Sequence, residues 1–134
     1  MDVPLTIAGS LGILAAAVHG AGGEVWVVRK LSLEQLPPSR FGGPRMTKAM
    51  IHVSWHITTV AFLTVGVALL LSGSALDGDA AEAIALVGAA AFTGFAAIAV
   101  ALGAAYMRTP RAFLRHPGPI ALAAVAALAW WGAL

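Results

Sequence analysis

Residues 49–71, AMIHVSWHITTVAFLTVGVALLL, decide the fold class of this chain. Apart from two histidines the stretch has no charged or titratable side chain, and it exceeds the roughly 20 residues that cross about 30 Å of hydrocarbon. It lacks the alternation of a half-buried strand, and an open sheet edge in lipid would leave backbone groups unpaired. We therefore predict a transmembrane helix here.

Three further apolar stretches, at about 5–28, 80–107 and 117–134, accompany it, the last of them just long enough to span. Hydrophobic residues make up 60% of the chain, charged residues make up 10%, and the mean hydropathy is +0.88. A soluble domain would carry about a quarter charged residues. We predict an all-α polytopic membrane protein, a single domain over 1–134, whose four transmembrane helices form an up-down bundle.

The charges predict the topology. All eight Lys and Arg residues lie in or beside the loops 29–48 and 108–116, whereas the loop between helices 2 and 3 carries Asp77 and Asp79. Because positive residues remain in the cytoplasm, both basic loops are predicted to be cytoplasmic and both termini non-cytoplasmic. The basic residues are Arg29, Lys30, Arg40, Arg45, Lys48, Arg108, Arg111 and Arg115.

These positions also limit the partners. The sequence pI of about 9.7 follows from the basic loops, so we expect no nucleic-acid partner. Membrane lipids are the expected partners, since basic loops can contact anionic headgroups, although orientation of the helices alone would account for the charges. A homo-oligomer or a larger membrane complex is a further alternative for so small a chain. With no cysteine, the chain has neither a disulfide framework nor a thiolate metal site.

Small residues recur at every fourth position in two helices. Gly12, Ala16 and Gly20 do so in helix 1, and Ala99 and Gly103 do so in helix 3. Such spacing lets backbones approach closely, which is how membrane helices gain packing energy. We predict close helix packing along these faces.

The candidate functional residues lie in helices 1 and 2. His52 and His56 are about 40° apart on one helix face, a spacing that suits two imidazoles on one metal ion. In an antiparallel helix 1, with a rise of about 1.5 Å per residue, Glu24 lies level with His52 and His19 nearly level with His56. Ionisable groups are unfavourable in hydrocarbon, so a buried cluster of four in the cytoplasmic leaflet calls for an explanation.

His19 and Glu24 present a geometric difficulty. They are five residues apart, about 140° around a regular helix, and cannot then point at one spot. The intervening Gly20, Gly22 and Gly23 would permit a bend or a π-bulge. Without such a distortion only one of the two joins the histidines.

Two kinds of ligand site are compatible with these residues. A metal ion would be held by His52 and His56 together with His19 or Glu24, and imidazole and carboxylate suit zinc, copper, nickel or iron. A b-type haem would instead take His19 and His56 as axial ligands.

A third interpretation is that the polar cluster only specifies helix packing in a membrane scaffold or accessory subunit, with Glu24 paired to Arg29 or Lys48. A small transporter is disfavoured, because the outer half of the bundle offers nothing ionisable for a through-membrane relay. No nucleophile–base pair independently supports an enzymatic reaction, so whether the chain is an enzyme is left open.

Three short motifs carry a resemblance: HGAGGE at 19–24, WHITT at 55–59 and RHP at 115–117. With them the chain resembles a group of small, uncharacterised four-helix bacterial integral membrane proteins. The resemblance covers the whole chain. It implies a bacterial inner-membrane location and adds no activity.

Overall fold

The first membrane-like span is one continuous helical path with an irregular end. The computed structural model describes residues 1–106, 109 and 115–134. Helix α1 (Val3–Ala17) passes through a π-helical turn (Val18–Gly22) into the one-turn helix α2 (Gly23–Trp26). Two 3₁₀ turns follow, at Val28–Lys30 and Leu33–Gln35.

Three further helices complete the described fold. They are α3 (Pro44–Ser74), α4 (Gly78–Tyr106) and α5 (Gly118–Ala133). The all-α class is confirmed, and Val3–Lys30, α3 and α4 are each long and apolar enough to cross a membrane. Helix α5 is apolar but has 16 residues, about 24 Å at 1.5 Å per residue. The fourth crossing and the side on which the termini lie remain predictions.

Helix α3 begins five residues before the apolar stretch that predicted it. Pro44 occupies its first turn, where the missing N–H of proline needs no partner, and Gly43 precedes it in an extended conformation. The start is thus set by local backbone chemistry rather than by hydropathy. The predicted end of helix 3 at Met107, the basic residues Arg108 and Arg111 and the turn expected at 112–114 lie outside the described residues.

The four long helices form a closed ring in which each one contacts two neighbours. Helix α1 packs against α3 and α5, and α4 packs against the same two helices. The backbone N–H of Asp2 donates to the carbonyl of Gly73 at 2.7 Å, so α1 starts where α3 ends. Ser72 Oγ donates to the carbonyl of Ala81 at 2.6 Å and joins the end of α3 to the start of α4. Neighbouring helices are therefore antiparallel.

Close backbone contact between α1 and α3 confirms the predicted role of small residues. A Cβ atom on Gly12 would lie 3.0 Å from the Cα of Gly66. Phe62, Phe92 and Phe95 fill the centre of the bundle, with ring centroids 5.0 to 6.2 Å apart. The apolar core thus fixes how α1 packs on α3, and His19, Glu24, His52 and His56 lie toward one end of it.

Candidate functional site

The π turn determines which way helix 1 presents its polar side chains. At its end the backbone N–H of Gly23 is directed to the carbonyls of Val18 and His19. Trp55 of α3 donates from Nε1 to the carbonyl of His19 at 2.9 Å. Because the turn is wider than an α-helical turn, His19 and Glu24 both reach α3, which a regular helix would not allow. The distortion predicted from the glycines is confirmed.

Glu24 is the centre of a polar cluster. Its Oε2 lies 3.0 Å from His52 Nε2 and 3.3 Å from His56 Nε2. Its Oε1 accepts a hydrogen bond from Arg29 Nε at 3.1 Å. The imidazole rings of the two histidines are 4.9 Å apart between centroids. The carboxylate therefore gives one oxygen to the histidines and the other to the guanidinium.

The donor atoms are close enough together to share a small metal ion. One donor each from Glu24, His52 and His56 lies within 4.8 Å of the other two. Ligands about 2.0–2.1 Å from a tetrahedral ion lie roughly 3.3 Å from each other. The two separations from Glu24, 3.0 and 3.3 Å, are compatible with that value and are also hydrogen-bond distances. These three residues could therefore hold an ion.

The cluster lies at the outward side of the bundle. The side chain of Glu24 is 18% exposed, whereas those of His52 and His56 are 47% and 44% exposed. This part of α3 presents one open face, formed by His52, Val53, His56, Ile57 and Val60. The histidines are thus reachable from outside the bundle.

His19 lies in different surroundings from the other predicted ligands. Its Nδ1 is hydrogen-bonded to Thr59 Oγ1 at 3.0 Å, and its ring stacks on Trp55 with centroids 4.6 Å apart. The edge of Phe62 completes the contact at 5.3 Å. The structure does not place His19 among the three converging donors. Its use as a metal or haem ligand stays a prediction.

No protein-family model, curated protein or solved structure matches this chain. The chemistry open to the cluster therefore follows from its donor atoms. Two imidazole nitrogens and one carboxylate oxygen form a borderline-hard donor set, which suits first-row transition metals rather than calcium or magnesium.

Two neighbours of the cluster complete the site. Of the two cations expected near Glu24, Arg29 forms the pair, whereas Lys48 donates from Nζ to the carbonyl of Leu31 at 2.8 Å. The role of Trp55 is not predicted by the sequence analysis. Its indole fills the space where a Cβ at residue 23 would lie, so Gly23 is required for this contact. A tryptophan on the histidine face, opposite a glycine-rich segment, is the signal that would have indicated it.

Proposed function

We propose that this chain is a small bacterial inner-membrane protein that binds a transition-metal ion through Glu24, His52 and His56. The observation that supports the proposal is the convergence of three donors from two helices within 4.8 Å. Histidine and carboxylate side chains together favour zinc, copper, nickel or iron. Isolated ionisable groups are rare within membrane spans, so their grouping favours a functional role.

Three protein ligands would leave a further position for water or a small molecule. Such incomplete coordination is typical of metal sites that react, whereas purely structural zinc sites take four protein ligands. The open face of α3 that carries His52 and His56 leaves this position accessible. A reaction, if the protein catalyses one, would take place there.

The ion is favoured over the haem alternative because its donors already converge. A haem between His19 and His56 would use one histidine that stacks on Trp55 and bonds Thr59, and another that contacts Glu24. A haem would also give the purified protein a visible colour, so the absorption spectrum of one sample separates the two ligands.

Elemental analysis of protein purified in mild detergent without chelator tests the metal proposal. We expect close to one equivalent of a transition metal in the wild type and almost none in the double variant His52→Ala/His56→Ala, which lacks two of the three ligands. His116→Ala is the matched control, because His116 lies outside the cluster. Equal metal content in the wild type and the double variant would refute the proposal.

We further propose four membrane crossings, with the loops 29–48 and 108–116 in the cytoplasm and both termini outside. The proposal rests on the placement of all eight basic residues. The absence of cysteine makes labelling direct. In intact cells, a membrane-impermeant thiol reagent should label Asp77→Cys and leave Ser39→Cys unlabelled, and the reverse pattern would invert the topology.

A second candidate function is a packing role in a scaffold or an accessory subunit. The specific observation in its favour is that both oxygens of Glu24 already have partners, on Arg29, His52 and His56. The hydrogen bonds of the cluster are therefore complete without an ion. The protein would fill this role in a homo-oligomer, in a larger complex or by itself in lipid. Wild-type protein that stays metal-free when supplied with zinc, copper, nickel and ferrous iron would favour this function.

A further inference from the structure

We propose that Arg29 sets the metal preference of the site by holding one oxygen of Glu24, so that only the other oxygen binds the ion. This inference rests on the metal-binding function proposed above. Arg29 Nε donates to Oε1 at 3.1 Å, while Oε2 lies 3.0 and 3.3 Å from the two histidine nitrogens. The two oxygens of one carboxylate thus have separate tasks.

The number of carboxylate oxygens on an ion discriminates between metals. Zinc is satisfied by four ligands and accepts a single carboxylate oxygen at about 2.0–2.2 Å. Manganese prefers an octahedral, oxygen-rich shell and gains more from a carboxylate that offers both oxygens. Hydrogen bonds to a ligating carboxylate fix its orientation and alter metal affinity by about 10–100-fold. Arg29 should therefore favour zinc over manganese.

The position of Arg29 suits this task. It lies in the 3₁₀ turn Val28–Lys30, and the buried side chain of Val28 anchors that turn to the bundle. Arg29 follows Glu24 by five residues, and the tightened turn keeps its guanidinium within hydrogen-bond distance of the carboxylate. Arg29 is 70% exposed and contacts Oε1, the carboxylate oxygen that the histidines do not contact. It acts as a positioning residue and does not itself bind the ion.

Absolute affinity would be a poor test of this role. Removing Arg29 removes both a hydrogen bond that orients Glu24 and a positive charge that repels the ion, and the two effects oppose each other. The charge acts almost equally on zinc and manganese, because both are divalent. The ratio of the two dissociation constants therefore isolates the effect of orientation.

The experiment measures zinc and manganese dissociation constants, by competition with a chromophoric chelator, for wild type, Arg29→Gln and Arg40→Gln. Arg40→Gln is the matched control, since it removes one positive charge from the same loop. We expect the manganese dissociation constant divided by the zinc dissociation constant to fall about tenfold or more in Arg29→Gln, and to stay within twofold of wild type in Arg40→Gln. An unchanged ratio in Arg29→Gln, with zinc still bound, would overturn the role of Arg29 alone.

A second measurement has a wild-type arm that does not depend on the variant folding. Cobalt bound to the wild type should give the intense visible absorption of a four-coordinate ion, and Arg29→Gln should weaken that band as a second oxygen joins. Weak, six-coordinate-type absorption in the wild type would contradict the inference. Wild type that binds none of these metals would remove the proposed function and this inference together.

Discussion

The contact between the first span and α3 has two unlike halves. In the half that we call the glycine half, residues 3–17 meet residues 62–74 and the backbones approach directly. A Cβ on Gly66 would lie 2.8 Å from the backbone nitrogen of Ile13, and one on Gly73 would lie 2.7 Å from that of Thr6. Little space remains there for side-chain chemistry.

In the polar half, residues 18–30 meet residues 48–59 through side chains. His19 bonds Thr59, and Glu24 contacts His52 and His56. The same two helices are thus joined by packing at one end and by polar groups at the other. We therefore expect the glycine half to contribute most to stability, and the exposed histidines of the polar half to contribute least. The predictions below test that division.

Substitution of Gly66 should have the largest effect. In Gly66→Leu the side chain would meet backbone atoms of Gly12 and Ile13, which cannot move without separating the helices. We expect a loss of about 3 kcal/mol or more in unfolding free energy, at the upper end for overpacking. Thermal unfolding in detergent, followed by circular dichroism, measures it. Gly94→Leu is the matched control, because a Cβ at Gly94 meets nothing within 4 Å; equal losses in both variants would contradict the assignment.

Replacement of Trp55 should cause the second-largest loss of unfolding free energy. Trp55→Ala removes the stack on His19 and the hydrogen bond to its carbonyl, and we expect a loss of about 2–3 kcal/mol, below that of a fully buried aromatic residue. Trp55→Phe keeps a ring and removes the donor, so it should lose about 1 kcal/mol. Unfolding in detergent measures both. Equal stability of Trp55→Ala and Trp55→Phe would contradict the contribution assigned to the aromatic ring.

The N-terminal cap of α1 should contribute less. The Asp2 side chain accepts a hydrogen bond from the backbone N–H of Leu5 at 2.8 Å. Asp2→Ala should lower the unfolding free energy by about 1 kcal/mol, whereas Asp2→Asn keeps an acceptor and should stay near wild type. A chemical-denaturation series of the three proteins in one detergent makes the comparison. An equal loss in Asp2→Asn and Asp2→Ala would show that charge rather than capping matters.

The two histidines should matter least to the stability of the metal-free protein. His52→Leu/His56→Leu removes two half-exposed side chains and leaves Glu24 paired with Arg29. We expect a smaller change in unfolding free energy than in Asp2→Ala, together with loss of bound metal. Unfolding of chelator-treated samples measures the first, and elemental analysis the second. A large loss of stability would instead show that the cluster contributes to helix packing.

Much of the architecture is predictable from the sequence because hydropathy, helix length and histidine spacing act locally. The pairing of His52 with His56 follows from four-residue spacing. The glycines between His19 and Glu24 permit a bend or a π-bulge, and the structure has the π turn. The separation of His19 from the cluster does not follow from the sequence, because it depends on where Trp55 and Thr59 lie in three dimensions. The early start of α3 at Pro44 does not follow from hydropathy, because hydropathy predicts only the part of a helix that lies in the membrane. The first residue of α3 depends instead on the backbone preferences of Gly43 and Pro44.

The π turn at Val18–Gly22 lets the first span hold one extra residue without turning Glu24 away from α3. An i→i+5 turn holds one residue more than an α-helical turn, and Ala21 within it has an exposed side chain. Without that residue the segment would close into a regular helix in which His19 and Glu24 are four residues apart, about 40° around the helix and still on one face. Glu24 would then stay beside the histidines, and the glycine contacts upstream would stay intact. In genetic terms, an in-frame loss of one codon within the turn should leave the candidate site assembled.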